Sequence, residues 1–253
     1  MAGELADMAF TDPPFNVRIA TVQGRGKTKH GNFAQACGEM NAAQFAAFLS
    51  EILGLAVRHS KDGAIHFVCM DWRHIGELLE AGKITYSELK MLVVWAKSNA
   101  GMGSFYRSQH ELVFVFKAGS GPHVNNFALG QHGRSRSNVW NYAGSNTFRA
   151  GRMEDLEAHP TVKPVAMVAD AIRDCSHCGD IILDPFMGSG TTILAAERVG
   201  RRGYGIEIDP LYVDVAIRRW QAYTKKDAVL ETTGQTFDQV AKDGRRIKRG
   251  RRA

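Results

Sequence analysis

Apolar residues recur along the chain in two rhythms. Between Asn41 and Val57 they fall at Phe45, Phe48, Leu49, Ile52, Leu55 and Ala56, the spacing of one buried helix face, and Asn41 stands where a cap belongs. Elsewhere they form short β-rich runs: ADMAF (6–10), AIHFVCM (64–70), KMLVVWAK (90–97) and ELVFVFK (111–117). Runs of this length bounded by polar residues predict buried strands. A short helix is expected after Asp71, through HIGELLEAG. The alternation predicts an α/β fold with a largely buried sheet.

The rhythm lapses from Gly119 to about Glu157, a stretch rich in Gly, Ser, Asn and Arg and far longer than an ordinary connection. Its length suggests a functional insertion. Regular structure returns in DIILDPFMGSGTTILAAERVG (180–200), which reads as strand, glycine-rich turn and helix, stopped by Gly200. RGYGIEID is the next strand, and Asp209 and Pro210 look like the cap and first residue of a helix through LYVDVAIRRWQAY. These patterns set one domain over 1–224, with the insertion at about 119–157, and an extension over 225–253 that ends in a basic, disordered tail, RRIKRGRRA.

Composition narrows the class. At 253 residues and 44% hydrophobic the chain can bury a full core, while no run approaches the ~18 apolar residues of a membrane span and no signal-peptide pattern opens it. A cytoplasmic protein is the expectation. Four scattered cysteines fit a reducing compartment; CSHC at 175–178 resembles half a zinc site, but no second pair follows, and no metal is expected. The net charge of +6 is unevenly spread: residues 13–38, 89–110 and 112–153 contain no acid. Within them lie Arg18, Lys27, Lys29, Arg107, Arg134, Arg136 and Arg149, which suggest a nucleic-acid surface.

The run ADMAF ends in Thr-Asp-Pro-Pro-Phe. Two prolines fix φ, remove two N–H groups and keep the preceding residues extended, so the segment is a stiff ledge. It can present the Asp12 carboxylate, the Pro13 carbonyl and the Phe15 ring. Two acceptors beside a π-face suit a planar group that carries an NH2. By itself the ledge is equally compatible with a strand-ending turn.

The glycine turn supplies a second signal. Gly188 and Gly190 would let a ligand approach the backbone at the carboxyl end of a strand, where open α/β sheets bind ligands. GSGTT lacks the lysine of a phosphate-binding loop, and no G-x-G-x-x-G occurs. Glu207, 23 positions after Asp184, ends the following strand, where an acid can bond a ribose diol. An adenosine ligand without phosphates fits, and S-adenosylmethionine meets that description.

Taken together, TDPPF, HPTVKP, DPFMGSGTT and GIEIDP, in this order over roughly residues 4–224, resemble the β-group DNA amino-methyltransferases, including methylase domains fused behind ParB-like domains. The resemblance implies a Rossmann-like S-adenosylmethionine-dependent methyltransferase fold with a mixed sheet and an inserted target-recognition region. It implies that Asp12 and the Pro13 carbonyl accept the target amino group, that Pro14 keeps the ledge rigid, and that Phe15 stacks on an extruded base. Asp184, Phe186, Gly188 and Gly190 would line the methionine side of the cofactor, Glu207 would hold its ribose, and Thr161 and Lys163 its carboxylate end. The lesser reading of Lys163 is a surface lysine ahead of a proline-started helix. Relatives are often homodimers and have one more strand before ADMAF, so six strands and a possible upstream fusion are expected here.

The chemistry is consistent with those roles. An aromatic NH2 is a poor nucleophile because its lone pair is delocalised; two acceptors on its hydrogens favour a pyramidal nitrogen and stabilise the charge that grows during attack. A paired base must be flipped out to reach such a pocket. Asp at position 12 favours adenine N6 in double-stranded DNA, since cytosine-N4 relatives usually have Ser there. Cytosine N4, an RNA substrate and a catalytically silent DNA-binding module remain as alternatives. At least one of Arg134, Arg136 and Arg149 is expected to read a base.

Overall fold

The computed structural model of the protein describes residues 1–17, 35–101, 105–144 and 162–250, the last seven by backbone alone. Arg18, Lys27, Lys29, Arg149 and Thr161 lie outside the described residues. One mixed sheet contains β1 (Ala6–Thr11), β2 (Ser60–Met70), β3 (Glu88–Ala96), β4 (His110–Lys117), β5 (Val139–Asn141), β6 (Ile181–Asp184) and β7 (Arg202–Gly205). Their spatial order is β5-β3-β4-β2-β1-β6-β7. The helices are α1 (Ala42–Arg58), α2 (Ile75–Thr85), α3 (Val165–Cys175), α4 (Thr191–Arg198), α5 (Pro210–Thr224) and α6 (Phe237–Gly250).

β1 is parallel to both of its neighbours, β2 and β6, while β4 runs antiparallel to β2 and β3. A strand covered on both faces must be apolar on both, which explains the unbroken runs. On one face Ile65, Phe67 and Cys69 of β2 join Met8 and Phe10 against Met167, Val168 and Ile172 of α3 and Ala195 of α4. On the other, Val68, Met70, Phe114 and Phe116 meet Phe45, Leu49 and Leu53 of α1 and Leu78 and Ala81 of α2. Asn41 caps α1 as expected, in a reciprocal box with Gln44.

Two expectations change. The sheet has seven strands, not six, because residues 139–141 of the insertion pair in parallel with β3. Only Trp140 of β5 is buried, and three residues are too few for a period to register. At the opposite edge β7 has no outer neighbour among the described residues. The basic tail is not irregular from its start: α6 continues to Gly250. Thr236 and Gln239 cap it reciprocally, with backbone-to-side-chain bonds of 2.8 and 3.3 Å, so the helix begins well ahead of the basic run. No helix among the described residues is long and apolar enough to cross a membrane.

The order of the strands positions the site. From β1 the chain crosses through α1 to β2 on one side, and from β6 through α4 to β7 on the other. The connections diverge, leaving a crevice at the carboxyl ends of β1 and β6, the switch point where open sheets bind ligands.

His66 of β2 is buried between Tyr86 and Ser60, its Nδ1 3.0 Å from the phenol and its Nε2 2.9 Å from the hydroxyl. Ser60 donates to the Ala56 carbonyl, so Nε2–H donates to Ser60 and Tyr86 donates to Nδ1. Burial pushes the imidazole down to about 3. Below its ordinary pKa near 6.5 the unfolded chain binds a proton that the folded chain refuses, so stability is lost as pH falls from there toward 3. Compared with His66→Gln in urea denaturation, the protein should lose up to about 1.4 kcal/mol per pH unit across this window. A difference that is constant from pH 4 to pH 7 would contradict a neutral buried ring.

Candidate active site

β1 carries the first element of the site. After Thr11 the chain leaves the sheet through Asp12, Pro13, Pro14 and Phe15, with Pro13 buried and the others partly exposed. The ledge is fixed by the residue that follows it. Asn16 has φ +52°, a left-handed conformation that asparagine tolerates better than most residues. Its Nδ2 donates to the Met40 carbonyl at 2.8 Å, and its Oδ1 accepts from the N–H groups of Gly38 at 3.0 Å and Met40 at 3.3 Å. The DPPF ledge is thereby tied to the segment that enters α1.

Asp12 is the end of a chain of charges. Lys163 Nζ donates to Asp12 Oδ2 at 2.5 Å and stands 3.1 Å from Glu111 Oε2, while Lys97 donates to Glu111 Oε1. The same ammonium lies 5.5 Å from the centroid of the Phe15 ring. Asp12 Oδ1 is buried and has no hydrogen-bond partner among the described residues. Burial raises the Asp12 carboxyl above its usual range, Lys163 opposes that shift, and Glu111 adds to it. At Glu111 burial acts upward too, but Lys163 and Lys97 outweigh it and hold the group at about 2. Burial disfavours the Lys163 charge, yet Asp12 and Glu111 together raise its pKa.

Lys163 is therefore not a surface lysine: its side chain is 5% exposed. Its ion pairs are with Asp12 and Glu111, on the ledge side of the crevice, rather than at the glycine turn. Glu111, Lys97 and Asn16 were absent from the sequence-predicted site. Glu111 did leave a trace, since it is the only acid between Leu89 and Met153.

The glycine turn follows β6. Asp184, 3% exposed, accepts from the Phe186 N–H at 3.0 Å and from the Thr192 hydroxyl at 2.6 Å. Burial pushes its carboxyl up to about 6 against those bonds. The Phe186 ring is 6.1 Å from that of Phe48 on α1, which closes the turn from above. Gly188 donates its N–H to Glu207 Oε2 at 2.8 Å, and Glu207 Oε1 accepts from the Asp209 N–H at 2.9 Å. β7 ends at Gly205, so Glu207 lies two residues beyond it, between the exposed Ile206 and Ile208. Gly190 has φ +82°, and a Cβ there would stand 2.7 Å from the Cβ of Ala216. The close approach that this glycine admits is that of α5.

Of the other predicted basic residues, Arg134, Arg136 and Arg107 are described. Arg134 and Arg136 both pair with the buried Asp174 near the end of α3, Arg134 at 2.8 Å. Arg136 also covers the Trp140 ring, 4.3 Å from its centroid, and donates to the Tyr142 hydroxyl at 3.1 Å. Asp174 lies at the end of the sheet where β6 begins, opposite Asp12. Arg107 is on the loop from β3 to β4, at the Asp12 end, with its guanidinium on the carbonyls of Gly101 and Ala100. Beside it Phe105 and Tyr106 are 87% and 81% exposed.

Comparison with known proteins adds the family. The DNA methylase family matches residues 6–218. Type II methyltransferase M.ScaI of Streptomyces caespitosus is 38% identical over 90 residues, 36% of this chain and 30% of that enzyme. DNA adenine methyltransferase YhdJ of Escherichia coli K12 is 26% identical over 242 residues, 85% of this chain and 76% of YhdJ. Among solved structures, PvuII DNA methyltransferase (cytosine-N4-specific) is similar with a TM-score of 0.66 at 16% identity, over 87% of this chain and 82% of that one. The M1.HpyAVI–SAM complex gives a TM-score of 0.62 at 20% identity, over 87% and 90%.

The anchoring of the ledge by Asn16 can be measured. Asn16→Ala removes three hydrogen bonds and leaves a Cβ-bearing side chain in the left-handed region, whereas Asn16→Gly removes the bonds alone. Chemical denaturation should show a loss of about 2–4 kcal/mol for the alanine variant and about 1 kcal/mol less for glycine. Equal losses would mean that the backbone conformation at Asn16 carries no cost.

Proposed function

The chain belongs to the DNA methylase family, and we propose that it transfers the methyl group of S-adenosylmethionine to the N6 amino group of adenine in double-stranded DNA. The observation that carries this reading is the buried Oδ1 of Asp12, without a partner among the described residues, on a ledge with no free N–H at positions 13 and 14, beside the Phe15 ring. A carboxylate oxygen so placed accepts one hydrogen of an amino group, and the Pro13 carbonyl can accept the other. Phe15 gives the base a surface to stack on once it leaves the helix. With both hydrogens held, the nitrogen lone pair is freed for attack, and the carboxylate stabilises the positive charge that forms.

The turn on the other side of the crevice fits the methyl donor. Glu207 offers carboxylate oxygens for a ribose diol, and Ile206 and Ile208 on either side of it are exposed apolar surface suited to a purine ring. Asp184, Phe186 and Gly188 form the wall between Glu207 and the ledge. S-adenosylmethionine supplies an electrophilic methyl group on a sulfonium. The protein's part is to orient the amino nitrogen toward that methyl group, which accounts for much of the rate.

Cytosine N4 is a second reading, supported by the structural likeness to the cytosine-N4-specific PvuII enzyme. Likeness to the adenine methyltransferase YhdJ and the Asp at position 12 favour adenine. For the DNA itself, Arg107 with the exposed Phe105 and Tyr106 forms the described surface at the Asp12 end of the sheet.

Plasmid DNA treated with the protein and labelled S-adenosylmethionine, digested and analysed by mass spectrometry, should yield N6-methyladenine. N4-methylcytosine would replace the first reading by the second, and unmodified DNA would sink both. Asp12→Ala should abolish transfer and leave S-adenosylmethionine affinity within about twofold, while Glu207→Ala should weaken that affinity at least tenfold, the worth of one charge-assisted hydrogen bond. Equal losses of affinity in calorimetry would show that the two acids do not serve different ligands.

A further inference from the structure

Lys163 meets Asp12 Oδ2, while Oδ1 of the same carboxylate has no hydrogen-bond partner among the described residues. Behind Lys163 stands Glu111, and behind Glu111 stands Lys97, so that charges of alternating sign run from the end of β3 through β4 to the tip of β1. All four side chains are at least three-quarters buried. Such a chain is costly to desolvate, and it offers little stability that well-packed apolar side chains could not match. Its arrangement needs another reason.

We propose that Glu111 and Lys97 are positioning residues for methyl transfer: through Lys163 they fix the orientation and set the acceptor strength of the Asp12 carboxylate, with Oδ1 presented to the target amino group. This rests on the reading of Asp12 as the acceptor. A lone lysine on Asp12 would cap the carboxylate tightly and draw down its basicity. Glu111 competes for the same ammonium and so keeps Asp12 a good acceptor, while Lys97 neutralises Glu111 and prevents it from removing Lys163 altogether. The other ionisable groups that face Asp12 are Cys69 from β2 and Asp184 from β6. Burial raises the thiol of Cys69 well above its usual range, so it is neutral at physiological pH, and Asp184 is held by Thr192 and the Phe186 N–H.

The two positioning residues carry opposite charges, so their removal has opposite signs. In Glu111→Gln, Lys163 belongs to Asp12 alone and a like charge is gone; the acid limb of the kcat/KM profile should move down by about one pH unit. In Lys97→Met, Glu111 draws Lys163 away and a positive charge is lost; the limb should move up by a similar amount. Purely structural damage would reduce kcat without moving the limb in opposite directions. Asp12 is also observed directly, as the carboxyl 13C resonance missing from Asp12→Asn, and its titration should shift in the same two directions. Shifts in one direction only, or none, would overturn the charge chain even with methyl transfer intact. Opposite shifts in a protein that does not methylate DNA would uphold the chain and overturn the functional reading instead.

Discussion

The ion pair between Lys163 and Asp12 is the constraint on which the site depends. The two residues are 151 positions apart, one at the tip of the first strand and the other just before α3. Breaking a buried pair by removing one partner costs on the order of 3–5 kcal/mol, because the other charge is stranded. Register slips of β1 against β6, or a shift of α3 along the sheet, would strand both. The pair therefore couples the two halves of the crevice, which the sequence brings from opposite sides of a long insertion.

The backbone makes this coupling possible before any side chain does. β1 and β6 are parallel neighbours, with Met8 opposite Ile182 and Ala9 opposite Leu183, so their carboxyl ends finish side by side. Asp12 and Asp184 are then delivered to the same edge by two different strands. One of them keeps an oxygen without a partner among the described residues, and the other holds the glycine turn through Phe186 and Thr192. Two acids of the same type thus serve different ends because one is followed by two residues without an N–H and the other by a turn that donates to it.

The sequence was legible where a local rule governs. Strand β1 and its prolines, the cap of α1 at Asn41, and the turn from Asp184 to Gly190 each follow from a short-range pattern, and the structure contains them. Strand β5 was not legible, since Val139–Asn141 is too short for a period and is fixed by pairing with β3 and by the indole of Trp95 donating to the Tyr142 carbonyl at 2.9 Å. Glu111 was hidden for a related reason. Within ELVFVFK it looks like the polar end of a strand, and only the fold reveals that Lys97 and Lys163 converge on it. Gly190 was legible as a position that needs glycine, but the packing of Ala216 against it, which a Cβ would block, was not.

The described arginines of the insertion have a structural partner that a charge count along the sequence does not show. Arg134 and Arg136 lie in an acid-free stretch, yet Asp174, an acid from outside it, takes both. Asp174 is near the end of α3 remote from Lys163, and an 11-residue helix separates the two ends by ~16 Å. Arginines fastened there brace the insertion against α3, at the end of that helix remote from the Asp12 ledge. At the carboxyl edge of the sheet, by contrast, the loop from β3 to β4 presents Arg107 beside the exposed Phe105 and Tyr106. The same loop leaves β3 at Lys97 and joins β4 one residue before Glu111, so the ion pair behind Lys163 ties its two ends together.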